Sequence, residues 1–136
     1  LILLTHTSEP VGHQYPGKGG VTPEILYPFI SNFPDLTVVC AHWGGGLPFY
    51  ALMPEVKKAM SNVFFDTAAS PFLYSSPVYR QVIQLVGADK ILFGSDYPLL
   101  VQGRLLEEIK SLDLAEEAKR LILSGNAQKL LNINSE

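Results

Sequence analysis

Three side chains that can bind a metal ion or transfer a proton each follow a short apolar run in this sequence. The three are His6 after Leu1–Leu4 and Thr5, His42 after Val38–Ala41, and Asp96 after Ile91–Gly94 and Ser95. Nearly uninterrupted runs of Val, Ile, Leu and Phe are typical of strands buried on both faces. Because the carboxyl ends of parallel strands meet at one edge of the sheet, they carry the chemistry of α/β proteins. The sequence therefore predicts that two imidazoles and one carboxylate converge.

The apolar pattern alternates along the chain between strand-like and helix-like periods, which is typical of βα units. We predict an α/β fold of parallel strands alternating with helices, about four βα units over residues 1–136, in a sheet that closes as a barrel or stays open. An eight-stranded barrel needs about 250 residues, so this length corresponds to about half of one. The predicted strands are Leu1–Thr5, Thr37–Ala41, Asn62–Phe65 and Ile91–Gly94. The first predicted helix starts near Thr22, and a short last helix runs through Leu131. The other predicted helices span Pro48–Met60, Pro77–Val86, Leu105–Leu112 and Leu114–Leu123.

Composition and charge restrict the classes of partner. The chain is 47% hydrophobic and 17% charged, as expected of an ordered domain with a core. A net charge of -3 offers no basic surface for nucleic acid, and no apolar segment resembles a membrane helix or a leader peptide. We therefore expect neither nucleic acid nor membrane as a partner, and a cytoplasmic location. The single cysteine, Cys40, lies within an apolar strand and is expected to be a buried thiol without chemistry.

The segments THTSEP, VVCAHWGGGLP and ILFGSDYP resemble the later motifs of the amidohydrolase-related (amidohydrolase 2 type) metal-dependent TIM-barrel hydrolases, which include aminocarboxymuconate-semialdehyde decarboxylase-like enzymes. The resemblance covers nearly the whole chain, down to the closing SGNAQKLLNI. It implies that the chain is the C-terminal half of a TIM barrel. It also implies that His6 and Asp96 bind the metal ion and that His42 lies beside the metal-bound water, so that His42 and Asp96 are the catalytic residues.

One element of the family pattern is missing from this chain. The family's other two ligands form a His-x-His pair, whereas the histidines here are His6, His13 and His42, at no such spacing. A catalytic zinc site has about three protein ligands and a water whose pKa falls to about 7. Because His6 and Asp96 supply two ligands, we expect the first strands of the barrel to be absent and the isolated chain to be inactive. A second copy or the missing N-terminal half is the expected protein partner.

Together these features predict a metal-dependent hydrolase, with zinc as the expected divalent ion. Its substrate would be a small organic ester, lactone or amide, attacked by a metal-activated water. Two alternatives stay open. One is a metal-dependent decarboxylase of a small unsaturated or aromatic acid, which would use the same ligands. The other is an inactive fragment or subunit that needs a partner half-barrel.

Substrate contacts are expected from the loop after the first strand and from Trp43. Glu9 and His13 lie in that Gly/Pro-rich loop and either touch the substrate or are solvated. Trp43 either lines the pocket or packs in the core. The segment Gly12–Gly19 nearly matches the sequence motif of a phosphate-binding loop, but Gly19 occupies the position where a Ser or Thr hydroxyl would bind Mg²⁺. The sequence therefore disfavours nucleotide binding.

Two further polar residues follow strands in the sequence. Asp66 ends the third strand, and its carboxylate either binds a substrate donor or caps the turn at Thr67. Ser95 could be a nucleophile with His42 as its base, but the Gly-x-Ser-x-Gly elbow is absent. Serine hydrolysis is therefore disfavoured.

Overall fold

A computed structural model describes residues 1–133, and the last three residues of the predicted domain, 134–136, lie outside the described residues. The chain divides into two compact units, Leu1–Asp66 and Thr67–Glu136. Strands alternate with helices along the whole described chain, as the sequence predicts. The elements are β1 (Ile2–Thr5), α1 (Pro23–Asn32), β2 (Thr37–Cys40), α2 (Pro54–Ala59), β3 (Val63–Asp66), α3 (Ser70–Leu73), α4 (Pro77–Val86), β4 (Ile91–Leu92), α5 (Gln102–Ser111), α6 (Glu116–Arg120) and α7 (Asn126–Leu130).

The first unit is built on a parallel sheet in the order β1-β2-β3. Thr5 of β1 is in register with Cys40 of β2, which is in register with Phe65 of β3. Cys40 and Phe65 are both completely buried, as expected of central parallel strands. The register brings the carboxyl ends of the three strands to one edge, and the residues that follow those ends lie side by side.

Helix α1 forms as its sequence predicts. Pro23 occupies the first turn, where its missing N–H costs no hydrogen bond, and Leu26 and Ile30 form the buried face. The prediction of a helix over Pro48–Met60 is confirmed in part: residues 48–52 form the end of a 3-10 helix, Met53 interrupts it, and α2 begins at Pro54. Met53 has extended backbone angles (φ -87, ψ 113), the conformation that a following proline favours.

The second unit contains β4 and the last helices. The prediction of α4 over Pro77–Val86 is confirmed at both ends, and Gly87 with φ 97 stops it. The predicted helix Leu114–Leu123 is divided: α6 is followed by a π turn, Leu121–Gly125, and then by α7. The Asn126 side chain donates hydrogen bonds to the carbonyls of Ala88 and Ile91, both at 2.7 Å, and so ties α7 to the start of β4.

The remaining differences are one short helix and the ends of other elements. Helix α3 lies in a segment predicted as a loop, and β4 has two residues where four were predicted. Across residues 1–133, no helix has both the length and the apolar character needed to cross a membrane.

Candidate metal and active site

The imidazoles of His6 and His42 meet at the carboxyl edge of the sheet in the first unit. His6 directly follows β1, and His42 follows β2 after one residue, Ala41, whose N–H donates to the Thr5 carbonyl at 3.0 Å. The ring centroids are 5.0 Å apart and the ring planes are inclined by 70°, an edge-to-face contact. Parallel pairing of β1 with β2 thus brings together two of the three predicted functional side chains.

His42 begins a left-handed turn that aims its side chain. His42 and Trp43 both have φ 56, and Gly44, Gly45 and Gly46 continue with φ 63, 61 and 91. A left-handed conformation costs a residue with a Cβ about 1–2 kcal/mol, so this conformation needs support. The support includes a hydrogen bond from the His42 N–H to Asp66 Oδ1 at 2.8 Å. Strained backbone held in this way is frequent at functional sites.

The glycines of this turn are required by close packing as well as by φ. A Cβ on Gly44 would lie 2.7 Å from the Phe65 ring, and a Cβ on Gly45 would lie 2.4 Å from the Ser8 carbonyl oxygen. Neither distance is compatible with a side chain. The AHWGGG segment is therefore specified by the backbone conformation that holds His42 against the end of β1.

Three residues hold the histidines in place, in roles that the sequence analysis did not assign to them. Ser8 Oγ lies 3.0 Å from His6 Nε2, and Thr7 Oγ1 donates a hydrogen bond to the Ala41 carbonyl. Asp66 Oδ1 accepts a hydrogen bond from the His42 N–H, and the two roles considered for Asp66 from the sequence stay predictions. Ser8 and Thr7 are completely buried although they are polar and directly follow His6. Such a run of small hydroxyl residues after a strand is the sequence feature that could have identified them.

The loop after β1 carries Glu9 and His13. His13 is exposed, with its ring 5.3 Å from that of Tyr15, whereas Glu9 is half-buried. Glu9 Oε1 is buried and has no hydrogen-bond partner within residues 1–133. Lys18 donates hydrogen bonds to the carbonyls of Val11 and His13, both at 3.1 Å. Its ammonium group therefore connects the two ends of the loop that it belongs to. This use of the lysine supports the conclusion that the loop is not a phosphate-binding loop, while the substrate contacts of Glu9 and His13 stay predictions.

Trp43 is completely buried, the largest side chain with no exposed area. This burial favours the core-packing interpretation of Trp43, and its proposed substrate contact stays a prediction.

Asp96 belongs to the second unit, where it follows β4 by three residues. It is exposed and has φ 67, so it shares with His42 a left-handed backbone that is uncommon for a residue with a Cβ. The Asp96 carbonyl accepts a hydrogen bond from the Leu99 N–H at 2.8 Å, which closes the turn. The Thr67 hydroxyl accepts from the Gly94 N–H at 3.0 Å and donates to the Gly94 carbonyl at 2.9 Å, fixing the chain that leads to Asp96.

His6 in the first unit and Asp96 in the second have side chains of types that bind metal ions. Imidazole nitrogens and carboxylate oxygens are ordinary ligands of divalent ions such as Zn²⁺ and Mn²⁺. Within the described residues, no group of three or more His, Cys, Asp or Glu side chains is arranged to hold a metal ion. Burial, together with the nearby Asp66 carboxylate, raises the pKa of the Cys40 thiol to about 12, so Cys40 is a neutral core residue and not a thiolate ligand.

Comparison with known proteins identifies the family. The amidohydrolase family model matches residues 5–133, and the chain belongs to that family. The chain is 28% identical over 120 residues to 2-amino-3-carboxymuconate-6-semialdehyde decarboxylase of Dictyostelium discoideum, covering 76% of this chain and 33% of the relative. It is 23% identical over 120 residues to gamma-resorcylate decarboxylase of Polaromonas sp. (strain JS666), covering 76% of this chain and 36% of the relative. The chain thus spans about a third of the length of the curated relatives it matches.

A solved structure agrees at the level of the fold. A dihydroxybenzoic acid decarboxylase from Polaromonas sp. JS666, with bound manganese and the inhibitor 2-nitroresorcinol, matches with a TM-score of 0.69 and 20% identity. The match covers 84% of this chain and 39% of that one. The predicted fold class is confirmed: the chain is an α/β part of the amidohydrolase TIM barrel. Both named curated relatives are decarboxylases.

Proposed function

We propose that this chain forms part of a divalent-metal-dependent decarboxylase of a small aromatic or unsaturated acid. The observation that carries the proposal is the contact of His6 with His42, with ring centroids 5.0 Å apart at the carboxyl edge of parallel strands. Such an edge is where barrel enzymes place their chemistry. The choice of decarboxylation over hydrolysis is supported by the two curated relatives, which are named for that reaction.

His6 and Asp96 are the proposed metal ligands of this chain, and the remaining ligands are proposed to come from polypeptide outside it. When bound, the metal ion supplies a fixed positive charge that orients and polarises the oxygen atoms of the acid. The manganese in the related decarboxylase supports Mn²⁺ as one candidate ion, beside the zinc expected from the sequence.

His42 is the proposed proton carrier. In decarboxylation, the bond between the substrate carbon and its carboxylate breaks, CO₂ leaves, and a proton is added to the same carbon. An imidazole suits this step because its pKa lies near neutrality, so it can give a proton and recover it from solvent. The left-handed turn and the Asp66 hydrogen bond hold His42 in one orientation, which a proton donor requires. Glu9 and His13 are the proposed substrate-binding groups of the loop.

Hydrolysis of an ester, lactone or amide is the second candidate, and the description of the family as amidohydrolases supports it. The two reactions give different products. Decarboxylation releases CO₂ without consuming water, whereas hydrolysis consumes one water to cleave the ester, lactone or amide bond and releases no CO₂. Measurement of CO₂ therefore separates them.

The test uses a polypeptide that contains this chain together with the ligands proposed to lie outside it. Loaded with Mn²⁺ or Zn²⁺, it is expected to release CO₂ from gamma-resorcylate or from 2-amino-3-carboxymuconate-6-semialdehyde. His42→Ala is expected to lower kcat by about 10²–10⁴-fold, the usual contribution of a general acid, without loss of bound metal. Hydrolysis of esters or lactones with no CO₂ from either acid would contradict the proposal in favour of the second candidate.

The 136-residue chain alone is expected to bind the metal ion weakly and to release no CO₂, because two protein ligands do not complete a site. Metal analysis after gel filtration measures this directly. Tight stoichiometric binding together with turnover by the isolated chain would overturn the proposal that ligands come from outside it.

A further inference from the structure

Ser8 is a completely buried residue whose backbone and hydroxyl are both fixed by their neighbours. Its N–H donates to the Val21 carbonyl at 2.8 Å, and its Oγ accepts a hydrogen bond from the Gly19 N–H at 3.0 Å. On the other side, the His42 turn packs so closely that a Cβ on Gly45 would lie 2.4 Å from the Ser8 carbonyl oxygen. The hydroxyl is therefore held between the end of β1, the end of the following loop and the turn that carries His42.

The second partner of the Ser8 hydroxyl is His6. Ser8 Oγ lies 3.0 Å from His6 Nε2, whereas His6 Nδ1 has no hydrogen-bond partner within residues 1–133. The Gly19 backbone covers the Nε2 side of the ring, since a Cβ at Gly19 would lie 3.1 Å from His6 Cδ2 and 3.4 Å from Nε2. One nitrogen of His6 is thus occupied and enclosed, and the other is available.

We propose that Ser8 is a positioning residue for His6: its buried hydroxyl fixes Nε2, so that Nδ1 is the nitrogen that meets the metal ion of the proposed function, on which this role rests. A ligating histidine needs such a partner, because the hydrogen bond at its second nitrogen sets both the ring orientation and the tautomer. In this chain the partner is a hydroxyl held in place by two backbone segments.

The choice of a hydroxyl has a consequence for the ring proton. A neutral imidazole carries one proton, and a hydroxyl can either donate to a ring nitrogen or accept from it. The Ser8 hydroxyl oxygen has two lone pairs, so it can accept from the Gly19 N–H and from a His6 Nε2–H together, which leaves Nδ1 without a proton. Ligation through Nδ1 then requires no movement of the ring proton. Ser8 stays bonded to the ring with and without the metal ion.

The first test is nitrogen-15 NMR of the histidine side chains in the metal-free 136-residue chain, at a pH where the imidazoles are neutral. The chain has three histidines, and His6→Gln assigns the His6 signals by their loss. The wild type is expected to show His6 as a single tautomer with the proton on Nε2. Ser8→Ala is expected to give a mixture of both tautomers. A wild-type ring with its proton on Nδ1, or a Ser8→Ala spectrum identical to the wild type, would overturn the role of Ser8.

The second test adds Zn²⁺, which is diamagnetic and leaves the spectra readable. Ligation is expected at Nδ1, with the proton staying on Nε2, and Ser8→Ala is expected to weaken Zn²⁺ binding by about 10–100-fold, the usual cost of losing the partner of a ligating histidine. Ligation through Nε2 would contradict the assignment.

Ser70→Ala is the matched control. Ser70 is also a buried serine, and its hydroxyl donates to the Thr67 carbonyl at 2.7 Å, so its loss removes a buried hydrogen bond without touching His6. It is expected to leave the His6 tautomer and the Zn²⁺ affinity unchanged, and an equal effect in both variants would mean that Ser8 acts on stability alone. A chain in which Zn²⁺ moves no His6 signal, while Ser8→Ala still changes the tautomer, would refute the metal proposal and confirm only the hydrogen bond.

Discussion

Asp66 Oδ1 accepts the backbone N–H of His42 at 2.8 Å, so the carboxylate at the end of β3 fixes the first residue of the left-handed turn after β2. This hydrogen bond opposes the cost of φ 56 at His42. Asp66→Ala removes the acceptor, and we expect the free energy of unfolding to fall by about 1.5–3 kcal/mol, the range for a hydrogen bond to a charged group. Urea denaturation followed by circular dichroism measures the change.

Asp66→Asn is the matched control for this prediction, because its side-chain carbonyl can still accept from the His42 N–H. It is expected to lose less stability than Asp66→Ala. Equal losses in the two variants would show that the hydrogen bond at Oδ1 does not hold the turn.

Gly45 is the position in the turn where we expect an added methyl group to lower the free energy of unfolding most. Gly45 has φ 61, and an added Cβ would lie 2.4 Å from the Ser8 carbonyl oxygen, so Gly45→Ala combines backbone strain with an overlap that no flexible side chain can relieve. We expect a loss of roughly 2 kcal/mol or more in unfolding free energy, of which the left-handed backbone accounts for about 1–2 kcal/mol. Gly20→Ala is the control, because nothing lies within 4 Å of its Cβ position. A Gly45→Ala variant as stable as Gly20→Ala would contradict the close packing of the turn on Ser8.

Cys40 gives a prediction about alkaline pH. Burial, with a smaller contribution from the Asp66 carboxylate, raises the pKa of this thiol from 9.0 to about 12. Between these two values the native state keeps a proton that the unfolded state has lost, so the unfolding free energy falls as the pH rises through this window and is unaffected below it. The slope from this group approaches about 1.4 kcal/mol per pH unit. Urea midpoints from pH 8 to pH 10.5 measure it, and Cys40→Ala should show a shallower decline over the same range.

The same thiol offers an independent check by chemical modification. Because Cys40 has no exposed area and stays protonated, a thiol reagent at pH 8 should react with it only after the protein unfolds. Rapid labelling of the native chain would contradict its position in the core.

The sequence predicted the features that follow from local pattern and strand order. Apolar runs ending at His6 and His42 identified parallel strands, and parallel pairing is sufficient to bring the two residues together. The helix over Pro77–Val86 was predicted at both ends because Pro and Gly mark the two termini in the sequence itself.

The missed features depend on contacts between distant parts of the chain. The role of Ser8 requires Gly19 and Gly45 to close around it, and the role of Asp66 requires the left-handed turn at His42. The spacing of apolar residues along the sequence carries no information about these contacts. The helix predicted over Pro48–Met60 is divided, because Met53 takes the extended backbone conformation that the following Pro54 favours.

Strand β1 gives the last prediction, which concerns the protein partner. Parallel strands are normally buried on both faces, yet in this chain Ile2, Leu3 and Leu4 are 38, 36 and 67% exposed. β1 is also an edge strand of its unit, and an apolar edge strand tends to pair with another strand. We therefore expect the 136-residue chain to associate with a second copy, or with an added N-terminal half of the barrel.

Light scattering coupled to gel filtration measures the mass, and Leu4→Lys should shift it towards the monomer. Leu52→Lys is the control, since Leu52 is 81% exposed but lies outside the strands. A chain that stays monomeric at all concentrations and does not bind the added N-terminal half of the barrel would refute β1 as an interaction surface.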